Sequence, residues 1–561
     1  MYAGEKIVRN SLGRIVKFSS ITLMTILLLC SICFGAVFVG AKHQSANVSG
    51  EVQTSQTNEF AEQLFERIYL NNQSNADVYA SNIYGATTFG TNMKLVDFDI
   101  SKLGDEGMDY VVVVAFVNLY GGSVKWEEND IKNIMQSLND DDPNNDVYSV
   151  REYFKEQTYG KLRFKAGYVT YDTSSEYSYK DFYEKSTADS EAAYTMEAGA
   201  YAQALNANTP KYYDGQNETT FAVTDFHCRL LYYPYESTGW GMVLWPHAWA
   251  GNALVTSPRV IVNGTRKDTS PFVGTYAHEF THIMGVSDLY CAKESNPVDP
   301  VGKWYLMAST DYNYPQSINA YFKSKFGLTG ISPYGYQDTS KVRVISSSGE
   351  YLLAPANSQT GTIAFKFAER DIQVSGTCNY SSCPTHKGTN TTFTEDGKEM
   401  FFVEYKKKST SQVETDYSIP SSGLIIYRVV ESAHTQEFGN LYPNMLGDVK
   451  FQVYVLRTND ISSTDGAAVG VGSTFGSVSP TPDINKVITY FDGTNTCIAI
   501  TNNGYDNDGN AKVQFTFGEG KDRYSASGIF KVDGKAVEGA QVMVATPSSE
   551  GGYNVGIDTK V

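Results

Sequence analysis

The chain has 561 residues, of which 41% are hydrophobic and 19% charged, and a formal net charge of −17. That length and apolar content suit several cored domains, and the acidic balance excludes nucleic acid as a partner, because phosphates need a basic face. Without residues 1–41 the balance falls to −20, with 41 basic against 61 acidic side chains.

Lys6, Arg9, Arg14 and Lys17 precede an uncharged run from Phe18 to Ala41. A basic flank before such a run reads as an export signal, either a signal peptide cleaved near Val39-Gly40-Ala41 or a membrane anchor over 18–41. Either form places everything after Lys42 outside the cell, secreted or held on the outer face of the plasma membrane. Residues 42–105 are polar, with one helical pattern around Glu59–Tyr69, and read as a pro-segment or stalk.

The next unit, 106–330, opens with the apolar run YVVVVAFVNL from Tyr110, a buried strand by length and β-branched content. In LNDDDPNNDV (138–147), Asp140, Asp142, Asn144 and Asp146 alternate as in a calcium loop. The glycine turn and distal glutamate of an EF-hand are missing, so a solvated turn is the first reading and structural Ca2+ the second. SVREYFKEQTYGKLRFKAGYV (149–169) predicts a helix closed at Gly160 and then a strand. GWGMVLWPHAW (239–249) gathers three of the five tryptophans and suits a cleft wall, with His247 a packed histidine rather than a ligand.

HEFTHIMGVSD (278–288) is the stretch that carries chemistry. On a helix over 272–284, His278 and His282 lie one turn apart on one face, able to reach a single metal ion, with Glu279 beside them. Gly285 ends the helix so that the chain turns back and brings Asp288 to the same ion. Glu294 is the other acidic residue within reach, but AKESNPVDP is poor helix material. Beyond the site, KWYLMAST (303–310) sets Met307 on a turn and SINAYFKSKFG (317–327) predicts a helix ending at Gly327.

From 331 to 520 the pattern changes to short alternating strands: KVRVI, YLLA, TIAFKF, MFFVEYK, GLIIYRVV, FQVYVL, KVITYF, CIAI and VQFTF. These predict a β-sandwich. Residues 521–561 read as the start of a further small β module. After the apolar run five cysteines remain, and CNYSSC predicts a Cys378–Cys383 bridge in an exported chain.

These motifs together resemble the immune inhibitor A family of secreted metallopeptidases, a branch of the metzincins. The likeness runs over about 105–520 through YVVVVAF, TYGKL (158–162), LWPHAW (244–249), HEFTHIMGVSDLY, WYLM (304–307), FFVEYK and GLIIYRV. It implies that His278, His282 and Asp288 bind Zn2+, that Glu279 is the catalytic base, and that Met307 forms the Met-turn below the metal. Most metzincins have histidine where Asp288 stands, and aspartate there is typical of this branch.

The expected architecture is therefore α+β, a metzincin-like zinc-peptidase domain followed by a β-sandwich domain. The expected activity is zinc-dependent hydrolysis of peptide bonds in extracellular proteins or peptides. A catalytically inactive peptidase-like adhesin or glycan-binding protein is the alternative, and the intact Glu279 argues against it, since a scaffold needs no base. No serine lies in a Gly-x-Ser-x-Gly setting and Cys228 has no recognisable partner, so nucleophilic catalysis has no comparable support.

Overall fold

The computed structural model describes residues 88–519 apart from 91–92, 104–105, 123, 142–147, 189, 237–253, 263–264, 267–272, 287, 291–299, 312, 330, 333–340, 379–390, 412–413, 432–451, 458–462 and 480–486. Strand pairs near both ends are also described: Lys6–Arg9 with Ile15–Phe18, Lys531–Val532 with Lys535–Ala536, and Gln541–Pro547 with Tyr553–Lys560. The 59–69 helix, Asp142, Asn144, Asp146, His247, Glu294, Cys383 and the run 19–41 lie outside the described residues. Among the described residues no helix is long and apolar enough to cross a membrane.

Helices and sheets both build the chain, which is α+β as expected. Its first large sheet centres on β1 (Met108–Asn118), paired in parallel with β2 (Leu162–Asp172) along its whole length. Between them in sequence lie α1 (Glu128–Asn139) and α2 (Val150–Gln157). Tyr110 to Val117 are all buried, as expected of a central parallel strand covered on both faces, where an unbroken apolar run replaces alternation.

Ser149 starts α2 with a capping box: its hydroxyl accepts from Glu152 N at 3.0 Å while its own N–H donates to the Glu152 carboxylate at 3.2 Å. Gly160, at φ +75°, ends the segment as the sequence predicts, its N–H donating to Lys155 O at 2.7 Å.

The chain continues through α3 (Tyr179–Ala188), α4 (Ser190–Ala207), β3 (Lys211–Tyr213) and β4 (Glu218–Thr220). It then adds β5 (Cys228–Glu236), β6 (Leu254–Val262) and β7 (Thr265–Arg266) to give the order β7-β6-β5-β1-β2-β3-β4. The middle four strands are parallel and the outer pairings antiparallel. Then come α5 (Val273–Ile283), which carries the histidines, and α6 (Ala320–Lys325). The latter is shorter than SINAYFKSKFG suggests, because Asn319 caps it by accepting from Phe322 N at 3.0 Å, and Ser317 N and Ile318 N donate to Asp416 and Gln157.

Beyond α6 the six-stranded order is β8-β9-β11-β12-β13-β14: β8 (Ile331–Ser332), β9 (Val342–Ile345), β11 (Ala364–Cys378), β12 (Thr391–Lys406), β13 (Gly423–Glu431) and β14 (Val453–Val455). A four-stranded sheet of β10 (Gly349–Leu353), β15 (Thr474–Gly476), β16 (Ile498–Tyr505) and β17 (Ala511–Phe517) has the order β10-β17-β16-β15.

Successive residues of the six-stranded sheet serve different cores. Phe401, Val403, Leu424 and Ile426 join Phe515, Ile500 and Val513 of the four-stranded sheet. Met400, Phe402, Ile425 and Tyr427 join the core that contains β1 and α5. MFFVEYK and GLIIYRVV therefore do not alternate as expected, because both faces of these strands are buried.

Residues 487–491 of KVITYF, its described part, form no strand. They make a single bridge, Thr489 with Asn495, around a turn at Gly493 with φ +83°. Val487, Ile488 and Phe491 are nonetheless buried, so the apolar residues here record burial without a ladder or alternation.

Candidate metal centre

The face of α5 opposite the histidines anchors it to the sheet. Phe280 packs edge-on to Tyr110 of β1 with ring centroids 6.0 Å apart, and Tyr276 meets Tyr232 of β5 at 5.8 Å. Residues 276 and 280 share one helical face, and 278 and 282 project on the other. The helix closes at Gly285, whose φ is +87°. Gly285 N donates to His282 O at 2.8 Å and Val286 N to Thr281 O at 3.4 Å, the paired bonds of a Schellman motif. A Cβ on Gly285 would meet nothing within 4 Å, so glycine is needed there for its backbone alone.

The turn brings Asp288 back to the histidines. His278 Nε2 lies 3.0 Å and His282 Nε2 3.5 Å from Asp288 Oδ1. Among the described residues this is the one group of three His, Cys, Asp or Glu side chains with ligand atoms all within 4.8 Å of one another. The nitrogens facing away are bonded: His278 Nδ1 to Leu306 O at 3.0 Å, His282 Nδ1 to Val286 O at 2.7 Å. A carbonyl only accepts, so Nδ1 of each ring is the donor there and Nε2 is the atom turned to the shared point.

Two imidazole nitrogens and one carboxylate oxygen are a donor set that zinc takes. Zinc bonds of 2.0–2.1 Å at tetrahedral angles separate neighbouring ligand atoms by about 3.3 Å, and the observed 3.0 and 3.5 Å bracket that value. The donor set and these two distances fit the ion, and the two histidine nitrogens lie within 4.8 Å of each other.

Glu279 is buried beside the histidines, and its charge is felt at His282. Burial disfavours the charged His282 imidazolium, but Asp288 and Glu279 outweigh it and raise the pKa to about 9. Burial likewise opposes ionisation of Asp288, yet the charges and hydrogen bonds of His282 and His278 hold its carboxyl far below the usual range.

The segment from Gly302 to Thr310 lies against the site. Leu306 supplies the carbonyl for His278, Met307 is buried, and Met307 O accepts from Leu289 N at 2.5 Å. Two side chains that the sequence did not single out join here. Tyr290 donates from its hydroxyl to Asp288 Oδ2 at 2.9 Å, and Thr310 Oγ1 lies 3.3 Å from His278 Nδ1. Tyr290 stands two residues after Asp288, a spacing that could have flagged it. Asp140 belongs elsewhere, its carboxylate accepting from Gln136 at 3.0 Å while Asp141 pairs with Arg151 at 2.7 Å.

No protein-family model matches this chain, and no curated protein does.

Proposed function

We propose that the protein is a zinc-dependent endopeptidase acting on extracellular proteins or peptides, with a metzincin-like catalytic part followed by a β-sandwich, as the resemblance to the immune inhibitor A family implies. The observation that carries this reading is the convergence of His278 Nε2, His282 Nε2 and Asp288 Oδ1 next to Glu279. Schellman closure at Gly285, the parallel sheet behind α5, and Met307 O bonded to the ligand loop all support it. The apolar cluster shared by the four- and six-stranded sheets supports the sandwich.

His278, His282 and Asp288 would hold the ion, which when bound supplies Lewis acidity towards a water and a scissile carbonyl. Glu279 takes the proton of the attacking water and delivers it to the leaving amine. Leu306 O and Val286 O hold the imidazole tautomers through that cycle. The basic flank and uncharged run of residues 1–41, read as an export signal, support a location outside the cell, where Zn2+ and protein substrates are both accessible.

The test is elemental analysis of the purified ectodomain together with casein cleavage in the presence and absence of a chelator. About one zinc per chain and chelator-sensitive cleavage at internal bonds are expected. A protein without zinc, or cleavage indifferent to chelation, defeats the reading.

A further inference from the structure

We propose that Tyr290 is a positioning residue that makes Asp288 a one-oxygen metal ligand; this rests on the triad being a zinc site. Asp288 divides its two oxygens between different tasks. Oδ1 faces both histidine Nε2 atoms, and Oδ2 accepts the Tyr290 hydroxyl at 2.9 Å. Leu289, between the two residues, is buried in the core and ties its N–H to Met307 O. The backbone is thus fixed on one side while Asp288 and Tyr290 meet on the other.

All three ligand side chains have their second polar atom engaged. For the histidines the partner is a backbone carbonyl; for Asp288 it is a phenol on a side chain that remains 37% exposed. A carboxylate free at both oxygens can turn to chelate zinc through both, raising the coordination number and occupying the position that water needs. A hydrogen bond to the charged acceptor is of the strong, charge-assisted kind and holds Oδ2 away. Loss of such an outer partner typically weakens metal binding by 10–100-fold.

The experiment compares wild type with Tyr290→Phe, which keeps the ring and removes only the donor. Zinc affinity is measured by competition with a chromophoric chelator, and the visible absorption of the Co2+-substituted proteins is recorded. Metal-free unfolding midpoints monitor the fold. The variant should bind zinc about tenfold more weakly, and its cobalt bands should weaken, as they do when coordination number rises. Its metal-free midpoint should stay at the wild-type value.

An unchanged cobalt spectrum overturns the proposal whatever the affinity does, including when only the midpoint falls, which would mark a structural tyrosine. Should wild type itself take up neither metal, the zinc reading fails and this inference with it. Wild type that binds zinc beside a spectroscopically identical variant rejects the role of Tyr290 alone.

Discussion

Among the charged clusters in the described interior, two are built in opposite ways. At the triad, Asp288 Oδ1 and the two Nε2 atoms that face it are those a metal would take, and a second set of hydrogen bonds holds the atoms behind them. At the junction of α2, α6 and the six-stranded sheet, Lys323, Glu404, Lys406 and Asp416 are buried with half-buried Glu156 at the rim. There the bonds run between the charged atoms and the neighbouring backbone. Asp416 accepts from Ser317 N at 2.8 Å, Ser317 Oγ at 3.0 Å and Lys406 Nζ at 3.3 Å, Glu404 accepts from Ala320 N at 2.7 Å, and Lys323 donates to Ala356 O at 3.3 Å. One arrangement gathers ligand-type atoms at a single point; the other joins two layers.

The largest expected effect separates chemistry from binding within the first cluster. Glu279→Ala should lower kcat by on the order of 10³-fold, as loss of a general base does, while zinc content stays near wild type because Glu279 is not among the three converging ligands. Near-normal turnover in the zinc-loaded variant would show that another group handles the proton.

The second effect belongs to the junction. Lys406→Met removes the ammonium facing Asp416 and leaves a buried carboxylate without its counter-charge, a change that destabilises by about 3–5 kcal/mol. Chemical denaturation measures it. A loss below about 1 kcal/mol would mean that Ser317 alone suffices for Asp416 and that the ion pair is incidental.

These clusters also differ in how far the sequence reveals them. His278, Glu279, His282, Gly285 and Asp288 fall within eleven residues, so helical periodicity and one glycine stop place them together. The strand at Tyr110 and the α2–β2 segment are equally local. The carbonyls of Leu306 and Val286 cannot be read, because a backbone acceptor has no residue signature. At the junction, Lys406 looks like one lysine of the run YKKK, and its partner Ser317 is 89 residues away. Helix α4 escapes periodicity because its alanine-rich sequence marks no clear polar face, and β5 and β6 follow from parallel pairing across long connections.

A third prediction concerns protons at the triad. His282 has a pKa of about 9 in the metal-free chain, so below that pH an incoming ion must displace its proton. Apparent zinc affinity should therefore rise with pH by about tenfold per unit from this group, or about 100-fold between pH 6 and 8. Chelator competition across that range, with proton release followed by calorimetry in two buffers, measures the slope. Flat affinity would mean that the imidazole is already neutral.

The smallest effect sharpens the contrast, because it needs a titrating group that binds nothing. The junction carries three carboxylates, Glu156, Glu404 and Asp416, against two ammonium groups, Lys323 and Lys406, all felt at Lys323. One negative charge is in excess. Burial raises the Glu156 carboxyl above its ordinary value of 4.5, against the lowering pull of Thr415, Tyr148 and Lys323. A carboxyl with a raised pKa holds its proton longer folded than unfolded, so its contribution to stability falls as pH climbs from about 4.5 through the folded value. Glu156→Gln keeps an acceptor for the hydroxyls of Tyr148 and Thr415, each 2.9 Å from Oε2, and removes the titration. Because Glu156 retains solvent contact, the effect is discounted to about 1 kcal/mol. Denaturation at pH 6 and pH 8 should show wild type losing about that much more than the variant between the two, with zinc affinity equal in both proteins. An equal pH slope in the two would assign the excess charge to another carboxylate of the junction.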